Sequence, residues 1–165
     1  MAPLSGLVRI WRAPGAAITA RLARGGGEPA ALARLMGGCL AAFLSTWPAL
    51  MRAASGGPPP LEARLGGALF GWLFLAPLAF YALAAVSHLA ARALGGRGSW
   101  AGARLALFSA LFAVWPLMLL HGVLMGIAPG SAPRVLVAAA LAGGFLYIWG
   151  RGLIAAESPG RARGE

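Results

Sequence analysis

The sequence predicts an all-α integral membrane bundle of four transmembrane helices, preceded by an N-terminal amphipathic segment at the membrane interface. The runs Leu65–Val86 and Leu105–Met125 are 22 and 21 residues long and contain no charged side chain. At about 1.5 Å per residue, either run as a helix covers the roughly 30 Å hydrocarbon core of a bilayer. The chain of 165 residues is 59% hydrophobic and 11% charged. A soluble domain has about 25% charged residues, so lipid is the solvent that this composition fits.

The charge balance excludes some partners. The chain carries 14 basic residues, all arginine, against four glutamates, and its net charge is +10. The arginines flank apolar runs rather than alternating with aromatic residues, which favours anionic lipid headgroups over nucleic acid as the partner. The single cysteine, Cys39, lies in an apolar run, so no intramolecular disulfide can form.

Residues 1–30 are predicted to be a basic amphipathic leader. Leu7 and Trp11 recur at helical spacing, and Pro14 interrupts the pattern. We expect one or two short helices in the headgroup region; a loosely ordered leader is the alternative. The predicted lipid-headgroup contacts are Arg9, Arg12, Arg21 and Arg24.

A transmembrane helical domain is predicted over residues 31–156, followed by a polar tail over 157–165. The four spans are predicted at about 31–51, 65–91, 103–126 and 134–150. Proline falls in three of these spans, at Pro48, Pro77 and Pro116, which predicts bent helices.

Small residues at helical spacing indicate where spans approach each other. Gly67 and Gly71 form one G-x-x-x-G pair, and Gly122 and Gly126 form another. Such pairs let two helix backbones come close, so these glycines are predicted to be helix-packing positions. Ser99 is predicted to be the N-cap of the third span.

The arginine distribution predicts the orientation. With the N-terminus in the cytoplasm, eleven arginines lie on the inner side and three, Arg52, Arg64 and Arg134, on the outer side. The positive-inside rule then places both termini in the cytoplasm. The chain is predicted to be a multi-pass protein of the inner (plasma) membrane.

Groups for catalysis are scarce in the spans. The chain has no aspartate, and no glutamate falls inside a predicted span, so a carboxylate relay has no residues. His88 and His121 lie near opposite ends of their spans and cannot share one metal or haem. A Ser109–His88 dyad has no third group to orient its base, and a helix–helix hydrogen bond is favoured. No catalytic, cofactor-binding or metal-binding residue, and no cofactor, is predicted.

The segment Ala90–Leu124 resembles the Yip-one domain family of polytopic membrane proteins. The matching turn and kink positions are Gly95, Gly96, Gly98, Ser99, Trp100, Arg104 and Pro116. The resemblance covers roughly residues 30–150 and implies a short bacterial member. Eukaryotic members bind Rab-type GTPases in vesicle traffic, a role that the resemblance does not extend to this chain. Members of the family often have five spans, and four are counted here.

The predicted function is a non-enzymatic scaffold or accessory subunit. Its expected partners are anionic lipids and other membrane proteins, or a second copy of itself. The first alternative is a small transporter or channel component. The second is an intramembrane hydrolase that uses Ser109 and His88.

Overall fold

The structure is a computed structural model that describes residues 2–24 and 28–158. These residues are almost entirely helical, and they contain no β-strand, which confirms the predicted all-α class. The helices are α1 (Ala2–Arg12), α2 (Pro14–Ala23), α3 (Glu28–Ser55), α4 (Leu61–Phe70), α5 (Ala76–Ala93), α6 (Trp100–Ala113), α7 (Trp115–Ile127) and α8 (Ala132–Glu157).

The second long helix is continuous but distorted. A π-helical turn, Gly71–Leu75, joins α4 to α5, so that Leu61–Ala93 forms one rod of 33 residues. Ala76 N–H donates to Gly71 O, five residues back. Pro77 follows immediately; its ring crowds the carbonyl four residues earlier and it has no N–H to donate. The distortion predicted at Pro77 therefore takes the form of a wider turn directly before it.

The third long helix is broken. Helices α6 and α7 meet at Val114 and are bent by 44°. Pro116 lies in the first turn of α7, where a proline is tolerated because the N–H groups there have no partner in their own helix. The kink predicted at Pro116 is thus a true interruption, which leaves carbonyl groups at the end of α6 without a partner in that helix.

Four stretches of the described chain have the length and composition to cross a membrane if the bent pair counts as one. Helix α3, the rod Leu61–Ala93 and helix α8 each qualify alone, and α6 with α7 qualifies as a bent pair. The prediction of long apolar helices is confirmed at this level.

Helix α6 is the centre of the bundle. Ten of its 14 residues are buried, including Leu105, Leu107 and Phe108. It packs between α3, α5 and α8, while α7 lies mainly against α3. The other long helices therefore each keep an outer face that no part of the described chain covers.

The N-terminal helices pack on this bundle. Ile10 and Ile18 are buried, and the indole Nε1–H of Trp11 donates to Ala113 O at 3.1 Å. That carbonyl belongs to the last residue of α6, at the break, where a helix leaves acceptors free. Two short helices are confirmed for residues 2–24, and the alternative of a loosely ordered leader is wrong there.

The turns between the helices lie at the two ends of the bundle. One end of the bundle contains the turn 94–99, the start of α3 at Glu28 and the end of α8 at Glu157. Glu157 contacts Gly98 in this turn, and Glu28 contacts Arg104 near the start of α6. We call this the Glu157 end. The turns at 56–60 and 128–131 lie at the opposite end.

Candidate functional site

A buried histidine–carboxylate contact lies at the Glu157 end. His88 Nδ1 is 2.5 Å from Glu157 Oε1, and the two side chains are 1% and 5% exposed. The second carboxylate oxygen, Oε2, accepts the Gly98 N–H at 2.9 Å. Glu157 thus joins the end of α8 to α5 and to the turn between α5 and α6.

The glycines of this turn are required by how closely α8 approaches it. Gly95 has a φ of +91°, a conformation that glycine adopts without strain. A Cβ on Gly98 would collide with the Ala156 carbonyl oxygen and lie 2.8 Å from the Glu157 Cα. The Glu157 carbonyl also accepts the Arg97 N–H at 2.9 Å. The turn is therefore held to α8 through the backbone and side chain of one residue.

Aromatic stacking and a helix cap complete the surroundings of His88. The Trp100 ring lies 4.4 Å from the His88 ring, centroid to centroid. Ser99 is the N-cap of α6, as predicted, and its hydroxyl accepts the Gly102 N–H at 3.1 Å. His88 is thus enclosed between a carboxylate and an indole whose backbone position is set by the Ser99 cap.

A second polar cluster ties α3 to the bundle. Arg104 Nη1 donates to Glu28 Oε1 at 2.8 Å, and the Tyr81 hydroxyl donates to the same oxygen at 3.0 Å. The Arg104 guanidinium carbon lies 5.8 Å from the centre of the Tyr81 ring. The Arg104 and Glu28 side chains are 30% and 47% exposed, so this pair adds little stability and mainly positions the start of α3.

Sequence reasoning missed the role of Glu157. It was predicted to begin a polar tail, but it is the last residue of α8 and is buried. The statement that no third group could orient a histidine was therefore wrong. One signal was present in the sequence, because no helix-breaking residue intervenes between Gly152 and Pro159.

The Ser109–His88 dyad is not assembled in this structure. The Ser109 hydroxyl is buried, and it has no hydrogen-bond partner among the described residues. His88 Nδ1 is occupied by Glu157. Within residues 2–24 and 28–158, no three His, Cys, Asp or Glu side chains come together as metal ligands.

The four arginines predicted to contact lipid headgroups differ in their surroundings. Arg9, Arg12 and Arg24 are exposed, whereas Arg21 is partly buried. Burial, and then the positive charges of Arg34 and Arg24, lower the pKa of Arg21 to about 10. Burial and two nearby positive charges therefore make the charged form of Arg21 less favourable than it is in water.

The pair Gly122 and Gly126 lies at the contact between α7 and α3. A Cβ on Gly122 would overlap the backbone of Ser45, and one on Gly126 would lie 2.5 Å from the Cβ of Pro48. Both glycines allow the backbones of the two helices to come closer than any side chain would permit.

The other pair, Gly67 and Gly71, faces no neighbour in the described chain. No atom lies within 4 Å of a Cβ built at either position. Gly71 lines a shallow groove of about 370 Å³ on the outside of the rod, together with Ala68, Trp72, Leu75, Ala76 and Ala79. Beside it, Phe70 and Phe74 stack at 5.5 Å and are 57% and 64% exposed. This face is apolar, grooved and uncovered.

No protein-family model, no curated protein and no solved structure matches the chain. The resemblance to the Yip-one family therefore stays a prediction. The fold and the site define the class in coarser terms: the described residues form an all-helical bundle with three to four apolar helices of membrane-spanning length, in which a buried polar contact joins the end of α8 to α5.

Proposed function

We propose that the chain is a multi-pass inner-membrane protein, similar to the Yip-one family, that serves as a non-catalytic scaffold or accessory subunit for other membrane proteins. The rod Leu61–Ala93 carries the proposal. Its most apolar stretch has a mean hydropathy of 2.0, and only 6% of it is buried within the chain. An apolar surface of that size needs lipid or partner helices to cover it.

The charge distribution supports an orientation for this proposal. The Glu157 end holds five arginines, which are Arg34 near the start of α3, Arg151 near the end of α8, and Arg92, Arg97 and Arg104 around the turn between α5 and α6. The opposite end holds Arg52, Arg64 and Arg134, at or close to its two turns. Under the positive-inside rule, the richer Glu157 end faces the cytoplasm and both termini lie there.

Membrane insertion and orientation can be tested together. We expect the protein to stay in the membrane pellet after alkaline carbonate extraction, because long apolar helices are held by the bilayer core. Reporters inserted at residues 94–99 should be cytoplasmic, and reporters at 128–131 should be outside. A soluble protein after carbonate treatment, or both reporters in one compartment, would contradict the proposal.

The groove at Gly71 is the proposed contact for a partner helix. Small residues allow two membrane helices to approach until their backbones gain van der Waals and Cα–H contacts. The groove combines such residues with the neighbouring stacked pair Phe70 and Phe74, which offers apolar area at its edge. Partner binding at this face leaves the core around α6 unchanged.

We expect Gly71→Leu to abolish self-association or capture of partner membrane proteins and to leave folding intact. A Cβ at this position meets no atom of the described residues within 4 Å, and the leucine side chain would occupy the groove that a partner helix would enter. Cross-linking in native membranes, followed by purification in mild detergent, measures the effect. Gly143→Leu is the matched control, because Gly143 is also open but lies on α8. Unchanged cross-linking in Gly71→Leu would argue against this face.

A small transporter or channel component is the second candidate, and the break in α6–α7 is the observation that favours it. Interrupted helices form the substrate sites of many transporters. Here, however, Trp11 donates to the Ala113 carbonyl, and Ala113 and Val114 are 1% and 0% exposed. Because the break is packed by other side chains, it supports the scaffold proposal better than the transporter proposal. Substrate flux in proteoliposomes would reverse the order of the two candidates.

A further inference from the structure

Three arginines lie in the segments where α2 ends and α3 begins, and the positive charges of Arg34 and Arg24 both act on Arg21. Arg21 lies in the last turn of α2, Arg24 directly after it, and Arg34 in the second turn of α3. The Nη1 of Arg21 is shielded from solvent and has no hydrogen-bond partner in the part of the chain that the structure describes. A buried guanidinium nitrogen without an acceptor is costly, which indicates that an acceptor from outside completes it.

The other two arginines are oriented by their own helices. Arg24 Nε donates to Ala20 O at 2.9 Å, and Arg34 Nη1 donates to Ala30 O at 2.7 Å. Each bond uses one of the five N–H donors of a guanidinium and fixes its direction. Among the described residues, no other acceptor takes up the remaining donors of Arg24 and Arg34.

The chain offers no carboxylate to this group within the described residues. Glu28 and Glu157 are already paired, as described above, and Glu62 begins α4 at the opposite end. The remaining acid, Glu165, lies outside the described residues. The lowered pKa of Arg21 agrees with this, because like charges and burial, rather than an acid, dominate its surroundings.

The backbones of α2 and α3 do not contact each other. No Cα of α2 lies within 8 Å of a Cα of α3, although Ile18 and Leu35 belong to the same buried apolar cluster. The helices therefore share a core but meet only through side chains.

We propose that Arg21, Arg24 and Arg34 form a binding site for a phosphate group, supplied by an anionic phospholipid headgroup or by a free phosphate ion. Guanidinium groups bind phosphate oxygens through paired, charge-assisted hydrogen bonds, and three of them match its charge and its several acceptors. The lipid source rests on the proposed membrane location, whereas the phosphate chemistry does not.

Thermal unfolding of the full chain in neutral detergent tests the site. Inorganic phosphate is titrated against chloride at equal ionic strength, and short-chain phosphatidylglycerol is titrated against phosphatidylcholine. We expect a phosphate-bearing probe to raise the Tm by a few degrees, because it binds only the folded protein. A larger shift with phosphatidylglycerol assigns the site to lipid, and equal shifts assign it to the phosphate group alone. No shift with either probe overturns the proposal.

Variants with the same loss of charge locate the effect. Arg21→Gln and Arg34→Gln should remove most of the shift, and Arg21→Lys should keep only part of it, because lysine lacks the paired donors. Arg52→Gln, which changes an exposed arginine near the end of α3, at the opposite end of the bundle, should keep the full shift. An equal loss in Arg52→Gln would show nonspecific attraction and overturn the site.

The outcome stays decisive if one variant fails to fold, because Arg34→Gln and the titration of the unaltered chain test the site by themselves. It is also separate from the scaffold proposal. Membrane extraction and the Gly71→Leu result do not depend on phosphate binding, so either proposal can fail without the other.

Discussion

Glu157→Ala is expected to lower the free energy of unfolding of the protein in detergent by about 3 kcal/mol, since a buried hydrogen-bonding group left unsatisfied costs about 1–3 kcal/mol. Two groups lose their acceptor at once: His88 Nδ1, in a side chain that is 1% exposed, and the Gly98 N–H. Each unsatisfied buried donor has its own desolvation cost. The effect should therefore exceed that of a typical substitution at a helix end.

Denaturation followed by tryptophan fluorescence measures this change, because Trp100 packs on His88 and reports the same region. The stability of Glu157→Gln should lie between those of the unaltered protein and Glu157→Ala, since the glutamine amide oxygen still accepts from the Gly98 N–H. The neighbouring Ser158→Ala is the control and should change the free energy by less than about 0.5 kcal/mol, as exposed sites do. Equal stability of Glu157→Ala and Ser158→Ala would show that the pair contributes nothing.

Gly122→Ala is expected to destabilise the bundle by about 2 kcal/mol, within the range for overpacked cores. The new Cβ would overlap the backbone of Ser45 on α3, and a backbone cannot rotate away as a flexible side chain can. Helix α7 must then shift away from α3, although α3 and α7 form an extensive contact in the bundle. Even one added methyl group therefore separates two helices.

Gly143→Ala is the matched control for this substitution. It makes the same chemical change in the middle of α8, where no atom lies within 4 Å of the new Cβ. We expect it to raise stability by up to about 1 kcal/mol, because alanine is the better helix former. Denaturation curves of both variants give the comparison. Similar losses of stability in the two variants would mean that the close approach of α7 and α3 at Gly122 does not explain the effect of the substitution.

The long helices could be predicted from the sequence because their causes are local. Uncharged runs such as Leu65–Val86 are consistent with long helices, and Pro77 and Pro116 mark where the hydrogen-bond ladder must change. Ser99 was also recognised as a cap, because its hydroxyl serves a backbone donor three residues away. The fourth span was predicted to end near Gly150 from its apolar length, and the helix α8 itself continues to Glu157.

The two glycine pairs show where such reasoning ends. Gly67–Gly71 and Gly122–Gly126 have the same spacing, yet only the second pair touches another helix of the chain. Spacing specifies which residues share a face of a helix. The direction of that face depends on how each helix rotates in the bundle, which the sequence pattern does not state.

By itself, the sequence determined that this protein is helical, how long its apolar helices are and where they are interrupted. The tertiary structure alone decided that Glu157 meets His88, 69 positions away, and that Trp11 reaches Ala113, 102 positions away. Backbone hydrogen bonds and apolar periodicity arise between near neighbours, so a short stretch of residues specifies them. Contacts between distant residues depend on the packing of all helices together, where many small dispersion terms set one rotation and depth for each helix.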